Sequence, residues 1–346
     1  MKRCKEAQSV MKQCKVIALM LLALALLAGC SSPDPIDLEE PIEQVPTAAE
    51  LQASLEDGGS TREVTLYYKD LMGYLVPVNC EIPWEEGIAK ATLKQMVSSE
   101  ENDLQAARLG LLTALPEGLE VDMDIIGQLA KVSLSSACMA CADAEEENAM
   151  VSAIVSALTE FDSISEVQLL VEGEEVDALP FGTNISAPLT REDLNVESVS
   201  ADTDLTGSGT VQVFFESEAS GCMVPVTRTV FSNEDIDTAV LELLKGPRED
   251  SGLAGCIPKG VGLISVKQQD GVVTINMTEE FKQVVEQADG GAAAVKALVL
   301  TCSQFPDVTE VKLQVEGEDF VLDTETLAVT TVVNTEQEAL MASAIG

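Results

Sequence analysis

Histidine is missing from all 346 residues of the sequence. Histidine is the usual general base near neutral pH and a frequent zinc ligand, and it activates the serine or cysteine nucleophile of many hydrolases. Its absence removes the commonest catalytic arrangements. The sequence therefore predicts a protein that is not an enzyme, with no catalytic residue, no metal site and no cofactor.

Aromatic residues are also scarce, at 3% of the chain with Trp84 as the single tryptophan. Few side chains are therefore available to stack against sugar rings. Carboxylates are abundant, so the spacing of acids alone does not exclude the paired-acid chemistry of glycosidases. However, Glu172 and Glu174 flank a predicted turn, where both would be solvated. A wall-lytic enzyme is accordingly the least favoured function.

Basic residues number 20 against 59 acidic ones, a formal net charge of −39. Such a surface repels nucleic acids and anionic lipid headgroups, because both are polyanions, and no nucleic-acid partner is expected. The excess charge is interpreted as a solvated surface that keeps an exported protein soluble. Attraction to a basic partner or to Ca²⁺ is the alternative, but the sequence has no Asp-x-Asp-x-Asp-Gly loop for a dedicated calcium site.

The N-terminal segment has the pattern of an export signal. Lys12 and Lys15 precede an apolar run over 16–28, which is too short for an ordinary membrane-spanning anchor. Met11 begins a more typical signal peptide than Met1 does, so the start of translation stays open between them. The pattern predicts export of the chain.

The apolar run ends in Leu27-Ala28-Gly29-Cys30, which resembles the lipobox of bacterial lipoproteins. The small side chains of Ala28 and Gly29 let a peptidase approach, and the thiol of Cys30 can accept the lipid. Two acyl chains make a stable anchor where one would be marginal. The motif predicts a signal peptide over 1–29 and a lipid anchor at Cys30 on the outer face of the cytoplasmic membrane. An ordinary secretory signal with a coincidental cysteine is the alternative.

Residues 30–61 are acidic and contain four prolines followed by Gly58-Gly59-Ser60. About thirty residues of such mixed stiff and flexible chain reach roughly 30 Å as a coil. This composition predicts a tether between the membrane and the folded part.

The folded part is predicted to be a duplication. Residues 166–174 and 310–318 share Glu-Val-x-Leu-x-Val-Glu-Gly-Glu, whose alternating apolar positions indicate a strand with one buried face. Further matches follow in the same order: 64–68 with 211–215, 76–78 with 224–226, 115–118 with 257–260, 132–134 with 273–275, and 158–161 with 302–305. Ordered matches of this kind are the signature of an internal repeat.

Each half is predicted to run β-β-α-β-β-α-β, an α+β fold in which helices pack on one face of a sheet. The predicted boundaries are a first domain over 62–182, a linker over 183–207, a second domain over 208–330 and a C-terminal tail over 331–346. Thr335-x-x-Glu338 in the tail has the form of a capping box, which favours a final helix.

The second strand of each half carries a Val-Pro-Val motif. Proline removes one backbone donor from a strand, so this strand is expected at a sheet edge or a bulge. An exposed edge can accept a strand from a partner. The predicted docking edges consist of these residues: Val76, Pro77, Val78, Val224, Pro225 and Val226.

Six further cysteines lie beyond Cys30, and none has a cysteine at the matching position of the other half. Cys302 falls on an apolar helix face and is expected in the core. Cys138-x-x-Cys141 suggests a redox or metal pair, but a single such pair without histidine is weak support for zinc. Export permits disulfides, and the oxidation state of these thiols stays open.

The second half in particular resembles the GerM family, a sporulation and germination domain of lipoproteins in spore-forming bacteria. The resemblance is carried by Val211–Phe215, Val224–Val226, Leu241–Pro247, Ile257–Gly260, Asp270–Ile275 and Phe305–Gly317. The first half resembles the family at its strands but departs from it over 99–110 and 135–147. The resemblance implies a fold similar to ring-building motifs of envelope assemblies and no established catalytic residues.

Together these observations predict a non-enzymatic, membrane-anchored lipoprotein that acts as a scaffold in the cell envelope during sporulation or germination. Its expected partners are the membrane, through the lipid on Cys30, and envelope or sporulation proteins, with a homo-oligomer as a further option. The alternative function is an extracytoplasmic module that binds cell-wall glycan or peptide, which requires a groove.

Overall fold

The computed structural model describes residues 61–200, 203–287, 289, 291–322 and 332–345. The predicted signal peptide, the lipobox (Leu27, Ala28 and Gly29), the anchor Cys30 and the tether lie outside the described residues. Among the residues that are described, no helix is long and apolar enough to cross a membrane.

The first repeat contains five strands and three helices. In chain order these are β1 (Thr61–Lys69), β2 (Leu75–Pro83), α1 (Ile88–Met96), α2 (Glu100–Arg108), β3 (Val121–Ile126), β4 (Leu129–Leu134), α3 (Ala144–Thr159) and β5 (Glu166–Val171). A 3-10 turn over Ser136–Ala140 precedes α3. Strands β1 and β2 form an antiparallel pair, and β3, β4 and β5 form a second sheet in that order.

The second repeat follows the same plan. Its elements are β6 (Gly209–Ser217), β7 (Met223–Val230), α4 (Ile236–Leu244), β8 (Leu253–Ala254), β9 (Leu263–Gln269), β10 (Val272–Met277), α5 (Ala292–Ser303), β11 (Glu310–Val315) and β12 (Glu318–Asp319). A 3-10 segment over Glu279–Glu286 precedes α5. The sheet orders are β7-β6-β8 and β12-β11-β10-β9. A last helix, α6 (Glu336–Ile345), follows.

The predicted α+β order is therefore present in both repeats, with two refinements. Each repeat divides its strands between two sheets, and the first repeat has the additional helix α2. Ser99 caps α2 by accepting a hydrogen bond from the backbone N–H of Asn102 at 3.2 Å, and three acids in its first turn favour the helix dipole. This helix occupies the stretch where the first half departs from the family pattern.

The duplicated closing strands occupy equivalent places. Val167 pairs with Ala130 in the parallel β4–β5 ladder, and Val311 pairs with Val273 in the parallel β10–β11 ladder. Both valines are buried. The register makes Val132 equivalent to Ile275, so the sequence match of 132–134 with 273–275 was displaced by two residues. A shift of two preserves the face on which each strand residue lies, which is why the pattern did not reveal it.

The helices pack their apolar faces against the sheets. In α3 the buried positions include Met150, Ile154 and Leu158. Helix α5 buries Leu298 and Cys302, and the prediction that Cys302 lies in the core is confirmed. Most of the buried side chains of the two repeats form one continuous core, and residues 59–346 make a single compact unit. The two repeats are thus parts of one folded body.

Candidate functional site

The Val-Pro-Val strands lie at the edges of their sheets, but they are not exposed. Strand β2 pairs on one side with β1 and β7 with β6, while their other edges face each other across the two repeats. All six predicted docking residues are buried. The prediction of an exposed docking edge at Val76–Val78 and Val224–Val226 is therefore wrong, because each edge is covered by the other repeat. We call this junction of β2 and β7 the seam.

Asn195, in the predicted linker, closes one end of the seam. Its side chain accepts a hydrogen bond from Leu75 N–H at 2.8 Å and donates to the carbonyls of Leu75 and Pro225 at 2.9 and 2.7 Å. Its carbonyl accepts from Thr227 N–H at 3.3 Å. The residue has φ of +52°, which asparagine adopts more readily than most side chains. One residue thus joins the edges of both repeats.

Asn334, which precedes α6, does the same at the other end. Its side chain accepts from Met223 N–H at 2.8 Å and donates to the carbonyls of Met223 and Pro77 at 2.8 and 2.9 Å. Its carbonyl accepts from Asn79 N–H at 2.7 Å. The partners are the equivalent residues with the repeats exchanged, so the seam has local two-fold symmetry.

A buried ion cluster pins the linker to the second repeat. Arg228 donates from Nε and Nη2 to the two carboxylate oxygens of Glu197, both at 3.1 Å, and to the carbonyls of Glu242 and Gly246. Its guanidinium also lies 5.1 Å from the ring centre of Phe215. A fork that bonds both oxygens fixes the carboxylate geometrically as well as electrostatically. The cluster therefore holds residues beside Asn195 against β7.

The sequence reasoning missed these residues, although a signal was present. Asn195-Val196-Glu197 and Asn334-Thr335-Glu336 share an Asn-x-Glu pattern that follows the closing strand of each repeat. The capping box predicted at Thr335 is present, since Thr335 N–H donates to Glu338 Oε2 at 2.9 Å and Glu338 N–H donates to Thr335 Oγ1 at 3.2 Å. Each repeat thus ends in an arm that covers the edge of the other.

In the described part of the chain, β3 and β9 are among the strands whose outer edges are unpaired. Each is the last strand of its sheet, and within the described part of the chain no strand pairs with its outer edge. Exposed apolar side chains lie on both: Ile125 and Ile126 on β3, and Ile264 on β9. Unpaired strand edges with apolar side chains are surfaces on which another chain can add a strand. Strands β3 and β9 thus combine unpaired edges with exposed apolar side chains, whereas the Val-Pro-Val strands are buried.

All six cysteines of the described residues are free thiols and all are buried. Burial raises the pKa of the Cys80, Cys256 and Cys302 thiols to about 12 and that of Cys138 to about 11. It also raises the pKa of Cys141. The thiolate is the nucleophile and the metal ligand, so these thiols are suppressed in both roles. Within the described residues, no three metal-binding side chains are grouped to hold an ion.

Comparison with known proteins identifies the architecture. The family model described as Germane, sporulation and spore germination, matches residues 65–177 and 198–320. The chain is 30% identical over 275 residues to the spore germination protein GerM of Bacillus subtilis strain 168, covering 77% of this chain and 75% of that protein. The solved tandem GerMN domains of the sporulation protein GerM from Bacillus subtilis align with a TM-score of 0.68 and 30% identity, covering 80% of this chain and 99% of that one.

These findings confirm the resemblance noted in the sequence and the two-domain α+β arrangement. They also support the coarse functional prediction, a role related to sporulation or germination, and the names of the relatives describe no reaction. The family model covers well over half of the chain in two consecutive matches. The chain belongs to the Germane family of sporulation and spore germination proteins.

Proposed function

We propose that this protein is a non-enzymatic scaffold of the cell envelope in sporulation or germination, anchored to the outer face of the cytoplasmic membrane by a lipid on Cys30. The observation that carries the scaffold role is the closed seam between two repeats with open edges at β3 and β9. A body locked by reciprocal arms keeps its shape while it presents two strand edges to its surroundings.

The partner proposed for these edges is a protein strand with a basic surface. The net charge of −39 favours a basic chain and opposes self-association through an equally acidic copy. Attraction between exposed charges is screened by salt, so the complex should weaken as ionic strength rises. The lipid on Cys30 and the tether over 30–61 would hold the body near membrane partners without fixing its orientation.

The test is complementation of a deletion strain, scored by sporulation and germination efficiency. Ile126→Lys and Ile264→Lys place a charge on the open edges at exposed positions, and each variant should fold as the parent does but fail to complement. Leu104→Lys, an exposed substitution on α2, is the matched control and should complement. Full complementation by both folded edge variants would refute the proposed docking edges.

The anchor is tested separately. Cys30→Ser should leave an unprocessed precursor that incorporates no labelled fatty acid, because the lipid acceptor is gone. Equal labelling of the variant and the parent would refute lipidation at Cys30 and leave the scaffold role to be judged by the edge variants alone.

A further inference from the structure

A cavity of about 540 Å³ lies on the second repeat, where the end of α4, strand β7 and the linker residues after Asn195 meet. This volume is in the range of pockets that hold small organic ligands. The cavity adjoins the end of β7 beside Asn195, and no residue of β3 or β9 lines it. It provides the groove that a binding function requires.

The lining is cationic in an otherwise acidic protein. Arg228, Lys245 and Arg248 line the cavity, together with the carboxylates of Glu197 and Glu242. Three positive charges against two negative ones leave an excess positive charge, although the chain as a whole carries −39. A concave site whose local charge opposes that of the surrounding surface favours an anionic ligand.

The cations differ in how far they are already engaged. Arg228 is buried and gives its donors to Glu197 and to two backbone carbonyls. Arg248 forms an ion pair with Glu197, in which Nε lies 2.8 Å from Oε2, and its side chain is 49% exposed. Within the described part of the chain, no partner engages its Nη1 and Nη2. Arg248 is therefore oriented by Glu197 and still has its terminal donors to offer.

The first repeat serves as an internal control for the structural role of these residues. The register places Cys80 at the position of Arg228. Counting from the ends of the equal-length helices α1 and α4, Glu100 corresponds to Arg248. The fold thus forms in the first repeat without either arginine. The concentration of cations is a property of the second repeat rather than a requirement of the fold.

The cavity also has an apolar wall. Phe231 and Val199 line it, and 60% and 37% of their surfaces are exposed. Large apolar side chains exposed beside convergent donors are typical of sites that hold a ligand with an apolar portion. A fully solvated inorganic anion would make no use of them.

We propose that this cavity binds a carboxylate attached to an apolar body, such as the C-terminal carboxylate of a short peptide with an apolar last residue. The Nη1 and Nη2 donors of Arg248 hold the carboxylate, while the Lys245 ammonium stays paired with Glu242. Phe231 and Val199 contact the apolar portion. The planar guanidinium matches a carboxylate geometrically, which a lysine alone does not.

The test uses the purified full chain at low ionic strength and three probes: N-acetyl-leucine, N-acetyl-leucinamide and inorganic phosphate. Titration calorimetry should show saturable binding of N-acetyl-leucine, with at least roughly tenfold weaker binding of the amide, because a charge-assisted hydrogen bond is lost. Phosphate should bind more weakly than N-acetyl-leucine, since it lacks the apolar portion.

Variants locate the site. Arg248→Gln should weaken the binding of N-acetyl-leucine by roughly tenfold, because the positive charge and the paired guanidinium donors are lost together. Lys282→Gln is the matched control: Lys282 lies elsewhere in the second repeat, is 48% exposed and pairs with Glu279, and its loss should leave binding unchanged. Val199→Glu, at the exposed apolar wall, provides a second disruption that leaves Arg248 and its contact with Glu197 in place.

The proposal is overturned if N-acetyl-leucine does not bind saturably or if its amide binds equally well. It is likewise overturned if Arg248→Gln and Val199→Glu, with unfolding temperatures like that of the parent, both bind as the parent does. If phosphate bound as tightly as N-acetyl-leucine, the proposal that the ligand has an apolar portion would be overturned.

Discussion

Ser217 Oγ donates a hydrogen bond to Asp70 Oδ2 at 3.1 Å, and the two residues occupy the same position in the two repeats. Equivalent residues that touch each other must lie beside the two-fold axis that relates the repeats. Both are almost completely buried, and Asp70 Oδ1 accepts from the N–H groups of Met72 and Tyr74 at 2.8 and 3.0 Å. An aspartate thus sits at the centre of the seam, and both of its carboxylate oxygens accept hydrogen bonds from the protein.

This pair should couple the stabilities of the two repeats. Ser217→Ala removes one charge-assisted bond from a buried carboxylate and should lower the free energy of unfolding by about 2 kcal/mol. A double-mutant cycle with Asp70→Asn, followed by urea denaturation, separates this pair from the other bonds of Asp70. A coupling energy near zero would show that the contact contributes nothing to joining the repeats.

The asparagines at the ends of the seam should matter more. Asn195→Ala and Asn334→Ala each leave backbone groups of both repeats without their side-chain partner, at a cost of about 3 kcal/mol. Asn195→Ala should cost a further ~1 kcal/mol, because alanine resists the positive φ found there. Thermal or urea unfolding measures both losses, with Gln283→Ala at an exposed amide as the control. If either variant lost no more unfolding free energy than the control, the role of that asparagine in bridging the two repeats would be contradicted.

The sequence predicts the two repeats, but it does not predict that they cover each other's strand edges. Periodicity identified β5 and β11 because one face of each strand is buried, and proline correctly indicated that β2 and β7 lie at sheet edges. Which surface covers an edge depends on contacts across more than a hundred residues, such as those of Asn334 with Pro77. Local patterns carry no information about such contacts, so the sequence alone predicts an exposed edge.

The same limit applies to single side chains at the seam. Thr227 follows Val226 on an edge strand, and the sequence alone predicts that it is exposed and that its substitution leaves the fold intact. It is 1% exposed and its hydroxyl has no hydrogen-bond partner among the described residues. A lysine there would have to bury its charge, so it would test stability rather than docking. Only the assembled pair of repeats distinguishes the two outcomes.

The thiols should be unreactive in the native protein. Burial raises the pKa of Cys138 to about 11 and that of Cys302 to about 12, so almost no thiolate exists at pH 7. Iodoacetamide labelling with peptide mass spectrometry should leave the six cysteines from Cys80 to Cys302 unmodified until denaturant is added. Rapid native labelling of Cys138 or Cys141 would restore the redox interpretation of that pair.

Glu147 should contribute stability that depends on pH. Its carboxylate is buried at the start of α3 and accepts hydrogen bonds from the N–H groups of Phe181 and Thr183 at 2.9 and 3.0 Å. Burial alone would raise its pKa, but these hydrogen bonds outweigh it and the pKa is lowered. Because the pKa of Glu147 is lower in the folded state, its carboxylate stabilises the fold at pH values above the pKa of an unfolded glutamate, about 4.3. This contribution is lost as the pH falls through the pKa of the folded state.

Glu147→Gln should therefore cost about 2 kcal/mol at pH 7, because an amide cannot accept from both N–H groups through two oxygens. The gap between parent and variant should begin to narrow as the pH falls below the unfolded pKa of about 4.3. It should close once the pH passes the lowered folded pKa, where the parent carboxylate is protonated. Urea denaturation at a series of pH values measures the gap. The matched control is Glu145→Gln, an exposed acid in the same helical turn, which should show only the small effect of the helix dipole. A gap that stays constant with pH would mean that the cost comes from packing and not from the charge of Glu147.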